Sequence, residues 1–446
     1  MQYIQLTDGD VRRMLDVIGV RDTDELFRDI PPAARLNRPL NIPAGLTEQE
    51  LLADLNRLAA SNHSCEQLTC FLGGGMYDHF VPTVVDALAG QSEFVTAYTP
   101  YQAEASQGSL QAFYEYQTLI CRITGMDVSN ASLYEGATAA AEAVLMSRAI
   151  NPQRRRVVVS AAVHPHTRGV LATYLRELPI DLTVIETAGG RTSPEDLRRA
   201  VNDETASVVI QSPNVFGCVE SLDRLSAIAH EAGALVIASV DPISCALLKR
   251  PGDLGADIVV GDAQPLGIPM SYGGPTAGFM ACRKPFMRKM PGRLVSATRD
   301  RSGRRGFCLA LQPREQHIRR EKATSNICTN QGLLALRVAI YLGAVGRRGL
   351  ARVASLCLDK AHYAAERIAE VPGYELRFQA PFFKEFAVRT TRDVSRVLEH
   401  CRSRGILAGV PLGPWYENLA DCFLVAVTEK RTREQIDALV QALGEV

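Results

Sequence analysis

The sequence has no excess charge of either sign: 49 basic and 49 acidic side chains leave a formal net charge of zero. That balance argues against a nucleic-acid partner, which needs a basic stripe to meet phosphates. The nearest approach to one, Arg299, Arg301, Arg304 and Arg305, reads as a solvated loop or an ion-paired interface. The eleven cysteines form no CxxC pair and no metal-ligand rhythm, so no metal site is expected, and reduced thiols in a cytoplasmic protein are. Long apolar runs are missing too. Leu333–Val345 is interrupted by Arg337 and is too short to span a bilayer. The opening MQYIQLTDGDVRRML has no apolar h-region, and Asp8 and Asp10 argue against a transit peptide. Internal repeats and low-complexity segments are absent.

What is present is a chain of 446 residues, enough for two or three domains. Residues 1–65 mix helical pattern with proline-rich connectors such as Ile30-Pro31-Pro32, and Thr47 to Glu50 spell a capping box opening an amphipathic helix. Few apolar runs occur in this stretch, which reads as an arm that packs on something else. Residues 66–330 alternate regularly. Helix Ser106–Thr124 ends at Gly125, and strands Val157–Ser160, Leu182–Glu186, Ser207–Gln211, Leu235–Val240 and Asp257–Gly261 are separated by helical patterns. Short β-rich apolar runs between helices imply a mostly parallel sheet covered on both faces. Ala277–Cys282 is expected to run antiparallel at the sheet's edge. Residues 331–446 begin with a bridging helix, Gln331–Gly346. Strands at Tyr374–Phe378, Glu385–Arg389 and Cys422–Thr428, interleaved with helices, then make a small α/β domain.

Parallel sheets bind ligands beyond the carboxyl ends of their strands. Gly136, Ala137 and Thr138 open an alanine-rich helix, where free amides and a hydroxyl suit a phosphate. His164 follows one strand and Asp241 ends another, positions where an imidazole stacks on an aromatic cofactor and a carboxylate pairs with a protonated pyridine nitrogen. Each signal alone also has an ordinary structural reading. Together and in this order they resemble the cradle of fold-type-I pyridoxal-phosphate enzymes, in which a lysine at the end of the next strand holds the cofactor. Counting back from Gly273-Gly274-Pro275 places Gln264 at that position. An amide nitrogen has no basic lone pair, so glutamine forms no imine with an aldehyde. Lys249, Lys284 and Lys322 are the nearby lysines weighed as substitutes, and each reads as a surface cation.

The stretches Phe71–Pro82, Ser92–Gln102, Tyr134–Ala143 and Ala323–Thr329 resemble the glycine cleavage system P-protein family, glycine dehydrogenase (decarboxylating), in its first, alpha half. The likeness runs nearly end to end. It implies a fold-type-I transferase-like α/β architecture with a seven-stranded sheet and a small C-terminal domain. It also implies a chain that acts only with a beta subunit, in an alpha2beta2 assembly. That partner is expected to hold pyridoxal 5'-phosphate covalently, to decarboxylate glycine, and to pass the aminomethyl group to the lipoyl group of the H-protein. No catalytic residue is expected on this chain. Gly136, Thr138, His164, Asp241 and Gln264 form a vestigial cradle on this reading, and Tyr98, Thr99, Tyr101 and Gln102 form a loop that reaches a neighbouring active site. The competing readings are a scaffold or regulatory pseudoenzyme that stabilises the beta subunit, and an independent enzyme holding the cofactor non-covalently. His79 and His317 are candidate acid–base groups that also read as structural histidines.

Overall fold

A computed structural model describes residues 6–96 and 98–446; Met1–Gln5 and Ala97, both within stretches read above, lie outside the described residues. The chain divides into two units, Met1–His63 and Ser64–Val446. In the first, helices Asp8–Ile18 and Glu48–Ala59 each start from a capping box, on Thr7 with Asp10 and on Thr47 with Glu50. None of its described residues is buried, and Leu51, Leu52, Leu55 and Leu58 lie exposed on the second helix.

The second unit is built on a seven-stranded sheet. In chain order its strands are β1 Val128–Ser129, β2 Arg156–Ser160, β3 Asp181–Ile185, β4 Thr205–Gln211, β5 Leu235–Ser239, β6 Ile258–Asp262 and β7 Gly278–Cys282. They lie in the order β1-β7-β6-β5-β4-β2-β3. The five from β6 to β3 are parallel, and β7 pairs antiparallel with β6. The antiparallel strand is one place in from the edge expected for it, because the two-residue β1 pairs along its outer side.

Alternate residues of these strands enter two separate cores. Val158, Val208, Val236 and Val259 join one, while Val157, Val159, Val209 and Val260 join the other. Covering both faces is why β4 is buried at six successive residues, Thr205 to Ile210, rather than at every second one. Helix Gln107–Thr124 buries Leu110, Phe113, Tyr116 and Ile120 and stops at Gly125, whose left-handed φ of 74° lets its N–H return to the Cys121 carbonyl.

Two features depart from expectation. The arginine cluster belongs to an antiparallel hairpin, Leu294–Arg299 with Arg305–Ala310, and Arg304 pairs with Asp300 across the turn. The bridging helix continues past Gly346 to Ala369, with Gly346 at φ 61° and ψ −179° interrupting it. Tyr374–Leu376, Glu385–Thr390, Cys422–Ala426 and Val410–Pro411 form the C-terminal four-stranded antiparallel sheet, in that order. Glu385–Thr390 is the strand that matters for the site, because Lys384 immediately precedes it.

Candidate functional site

A cleft of about 260 Å³ opens at the carboxyl ends of the parallel strands. Gly136, His164, Asp241 and Asp262 line it from the large sheet, Gly74 to Tyr77 from the glycine loop, and Lys384 and Glu385 from the C-terminal strand. Of the cradle residues read from sequence, Gly136, His164 and Asp241 meet at this cleft, whereas Thr138 and Gln264 do not line it. Most of their polar groups, however, already have partners within the chain; the exception is His164, whose buried Nε2 has none among the described residues.

At the helix start, the amides of Gly136 and Thr138 and the Thr138 hydroxyl are taken. Glu135 is the N-cap of helix Gly136–Ile150: its carboxylate accepts the Thr138 N–H at 2.8 Å and also the Thr138 hydroxyl. The Asp262 carboxylate accepts the Gly136 N–H at 3.1 Å, the Gln264 N–H at 2.9 Å and the Thr276 hydroxyl at 2.8 Å. Burial raises the Asp262 pKa, and these three bonds oppose that rise.

At the strand end, Gln264 is 1% exposed. Its Oε1 accepts the Tyr77 N–H at 3.0 Å, and its Nε2 donates to the Tyr77 carbonyl at 3.0 Å and the Ile268 carbonyl at 2.9 Å. The amide thus grips the backbone of the glycine loop at two points. A lysine has no acceptor and reproduces only half of that grip.

Asp241 carries the largest surprise. Its carboxylate lies 2.7 Å from the ammonium of Lys384, a residue not among the lysines weighed from sequence. Lys384 is 2% exposed. Its Nζ also meets His79 Nε2 at 2.8 Å and sits 3.7 Å from the centroid of the Tyr77 ring. His79 Nδ1 in turn contacts Glu429 at 2.6 Å. Burial lowers the His79 pKa, and the ammonium beside it lowers it further. A neutral His79 accepts from Lys384 through Nε2 and donates its Nδ1–H to Glu429. Burial alone would raise the Glu429 carboxyl, but the bonds from His79 and the Phe80 N–H hold it low. The result is a buried chain of alternating character, Glu429–His79–Lys384–Asp241. His79 thus lies within this chain, with both ring nitrogens engaged, and not on the cleft wall.

Cys357 lies beside this chain, and its sulfur with His79 and Glu429 falls within 4.8 Å of one another. Both imidazole nitrogens are engaged, and burial pushes the thiol well above its ordinary pKa. The trio is poorly suited to a cation, which needs a thiolate and a free nitrogen.

Glu385, next to Lys384, accepts the Gly74 N–H at 2.6 Å and the Tyr77 hydroxyl at 3.0 Å, and burial pushes its carboxyl up to about 7. Gly73 is required here: a Cβ would stand 2.0 Å from Glu385 Oε1 and 2.7 Å from the Ala426 Cβ. His164 faces Trp415 edge-on, with ring centroids 5.0 Å apart, and its Nδ1 accepts the His166 N–H. Burial lowers its pKa to about 4.

The loop residues Tyr98, Thr99, Tyr101 and Gln102 stand apart from the cleft; none of them lines it. Tyr98 is 88% exposed and Tyr101 51%. Arg293, buried, anchors the loop by donating to Thr99 Oγ1 at 3.2 Å, with its guanidinium 5.8 Å from the Tyr101 ring centroid. The same arginine donates to the Cys328 carbonyl and Asn330, tying the loop to the Ala323–Asn330 segment. His317 lies against the Tyr101 ring at 5.5 Å and also belongs to this corner.

The fold family implies pyridoxal phosphate, and the residues present do not fit it. A phosphate at the helix start would meet the Glu135 and Asp262 carboxylates, a pyridine nitrogen at Asp241 would meet the Lys384 ammonium, and Gln264 offers no amine. Lys384 was readable only as an anomaly, a Lys-Glu pair inside the apolar run Phe382–Val388.

Comparison with known proteins agrees with this architecture. The family model described as "Glycine cleavage system P-protein" matches residues 1–443. "Probable glycine dehydrogenase (decarboxylating) subunit 1" of Desulforamulus reducens is 49% identical over 446 residues, covering all of both chains. The protein of the same name from Desulfitobacterium hafniense is 48% identical, again over the whole of both. The crystal structure of inhibitor-bound glycine decarboxylase (P-protein) of the glycine cleavage system superposes with a TM-score of 0.92 at 45% identity, covering all of both chains. A sphingosine-1-phosphate lyase of Burkholderia pseudomallei, 17% identical with a TM-score of 0.66 over 93% of this chain and 94% of its own, shares the fold. The architecture is thus that of the fold-type-I pyridoxal-phosphate enzymes, and with its full-length match to the family model and to these relatives the chain belongs to the glycine cleavage system P-protein family.

Proposed function

We propose that this chain is the cofactor-free subunit of a two-subunit glycine decarboxylase. A companion subunit of the same family carries pyridoxal phosphate on its own lysine and performs the decarboxylation of glycine. The aminomethyl group then passes to a lipoyl-bearing carrier, the H-protein, and the working form is an alpha2beta2 assembly in the cytoplasm. One observation carries the reading: a buried amide, Gln264, grips the Tyr77 backbone at the strand end where this fold needs an amine. The name "subunit 1" borne by full-length relatives supports the existence of a companion.

The contribution of this chain is structural at the cleft and positional at the loop. Tyr98 and Gln102 project into solvent from a loop whose root is fixed by buried Arg293. A polar-tipped loop on a rigid root is suited to completing a neighbouring site, where a misplacement of about 1 Å costs on the order of a hundredfold in rate. The test is co-expression with and without the companion, followed by glycine-dependent release of carbon dioxide. Release is expected only from preparations holding both chains. Full release by the companion alone would overturn the reading and leave this chain a scaffold.

A further inference from the structure

We infer that the cradle is held closed by the chain's own side chains, with Lys384 as a built-in cationic occupant on Asp241 and Glu135, with Asp262, as a built-in anionic occupant at the helix start. This rests on the reading of a cofactor-free subunit and goes beyond it. The loss of the lysine at position 264 explains only why no covalent bond forms; it does not explain why a non-covalent ligand is kept out.

Three groups converge on the Lys384 ammonium from different directions. The Asp241 carboxylate supplies charge at 2.7 Å, His79 Nε2 a lone pair at 2.8 Å, and the Tyr77 ring its negative face at 3.7 Å from the centroid. Each is itself fixed from behind. Glu429 holds His79, Glu385 holds the Tyr77 hydroxyl, and the Ile243 N–H donates to Asp241 at 2.9 Å. These are the parts of a receptor for a primary ammonium ion: a carboxylate, a neutral acceptor and an aromatic wall in a site removed from water. The aliphatic stem of Lys384 reaches it from the start of strand Glu385–Thr390, so this side chain joins the C-terminal sheet to the large sheet, beside the backbone bonds of Val219 to Pro381 and Phe383 to Gly217. At the other end the Glu135 carboxylate binds the Thr138 amide and hydroxyl, the bonds a phosphate oxygen takes at a helix N-terminus. The chain carries one internal stand-in for each charged end of the absent cofactor.

A receptor vacated by its tethered occupant should accept a free one. The experiment replaces Lys384 with Ala in the full chain and follows thermal unfolding in ethylammonium or propylammonium chloride against sodium chloride at equal ionic strength. The variant is expected to melt lower than the wild type in sodium chloride and to recover several degrees in the alkylammonium salt. The wild type and Lys384→Ala/Asp241→Asn should respond equally to both salts. A variant indifferent to the alkylammonium ion, or a wild type that responds as strongly, would overturn the inference.

Should Lys384→Ala not fold, the wild type decides. Reductive methylation of the native chain, mapped by mass spectrometry, should label exposed Lys249 and spare Lys384 until denaturant is added. Labelling of both at comparable rates sinks the proposal. Neither readout depends on decarboxylation, so the inference can fail while the proposed function stands.

Discussion

At the residue scale the site is governed by how its buried charges are paired: Lys384 with Asp241 and Glu429 with His79, while His164 Nε2 is left without a partner among the described residues. A buried ammonium costs several kcal/mol of desolvation unless its neighbours offset it. Removing one partner of the Asp241–Lys384 pair should therefore be far worse than removing both. Asp241→Asn is expected to cost about 3–5 kcal/mol, and Asp241→Asn with Lys384→Met less than the sum of the two single changes. Urea denaturation of the four forms measures this, and additive losses would show that the pair is not coupled. Gln264→Lys breaks the grip on Tyr77 and should cost about 1–3 kcal/mol. It should not create a decarboxylase, because Glu135 and Lys384 still fill the two ends of the cradle. Carbon dioxide release by the isolated variant would refute that. His164 gives a pH signature. Its pKa is held at about 4, below the ordinary value of about 6.5, so the unfolded chain binds a proton across that interval which the folded chain refuses. The stability from the neutral ring is full above the upper limit and is lost as pH falls through the window. Glu385, raised to about 7, titrates in the opposite sense: its stabilisation is full at low pH and lost as pH rises through the folded value. Comparing wild type with His164→Gln cancels that term, and the variant's stability should fall less steeply below about pH 6.5. Identical slopes would mean that His164 ionises freely in the fold.

At the scale of elements, the glycine loop before Tyr77 and the strand Glu385–Thr390 behave as one unit. Gly73 packs against the Glu385 carboxylate and the Ala426 methyl, neither of which can retreat into open space. Gly73→Ala should cost about 1–3 kcal/mol by overpacking, seen as a lowered unfolding midpoint. An unchanged midpoint would show that the loop is free to move. The same elements mark how far the sequence could be read. The strands of the large sheet were legible because two-sided burial writes itself as short apolar runs, and the Gly125 stop because a left-handed cap favours glycine. The positions of Gly136, His164 and Asp241 around one cleft were legible because strand ends converge in this topology, with Gln264 buried behind it on the Tyr77 backbone. Lys384 was not. It lies 143 residues beyond Asp241, on a different sheet, and no local pattern states that pairing (384 − 241). Nor did Glu135 announce that it caps the helix that looked free to bind a phosphate. Long-range charge pairing leaves no periodicity. The hairpin Leu294–Arg299 with Arg305–Ala310 was missed for a different reason: its arginines cluster at the turn and drew the reading to a loop, although Leu294, Val295, Phe307 and Leu309 are buried on its strands.

For the whole molecule, the proposed function divides labour between two chains of one family. This chain keeps the sheet, cleft and C-terminal domain of a pyridoxal-phosphate enzyme but stabilises the cleft with its own charges. On the proposed function, its outward offering is the loop on Arg293. In the assembled enzyme, Tyr98→Phe or Gln102→Ala should lower glycine turnover by on the order of tenfold while the complex co-elutes unchanged. Unaltered turnover would leave the loop a packing element only. The central claim is that carbon chemistry is hosted elsewhere, and it is tested most directly by the visible absorption spectrum and intact mass of this chain expressed alone in medium supplemented with pyridoxal phosphate, before and after borohydride reduction. The account predicts a spectrum without a cofactor band and a mass equal to that of the bare polypeptide. A stoichiometric band with a matching gain in mass after reduction would contradict it.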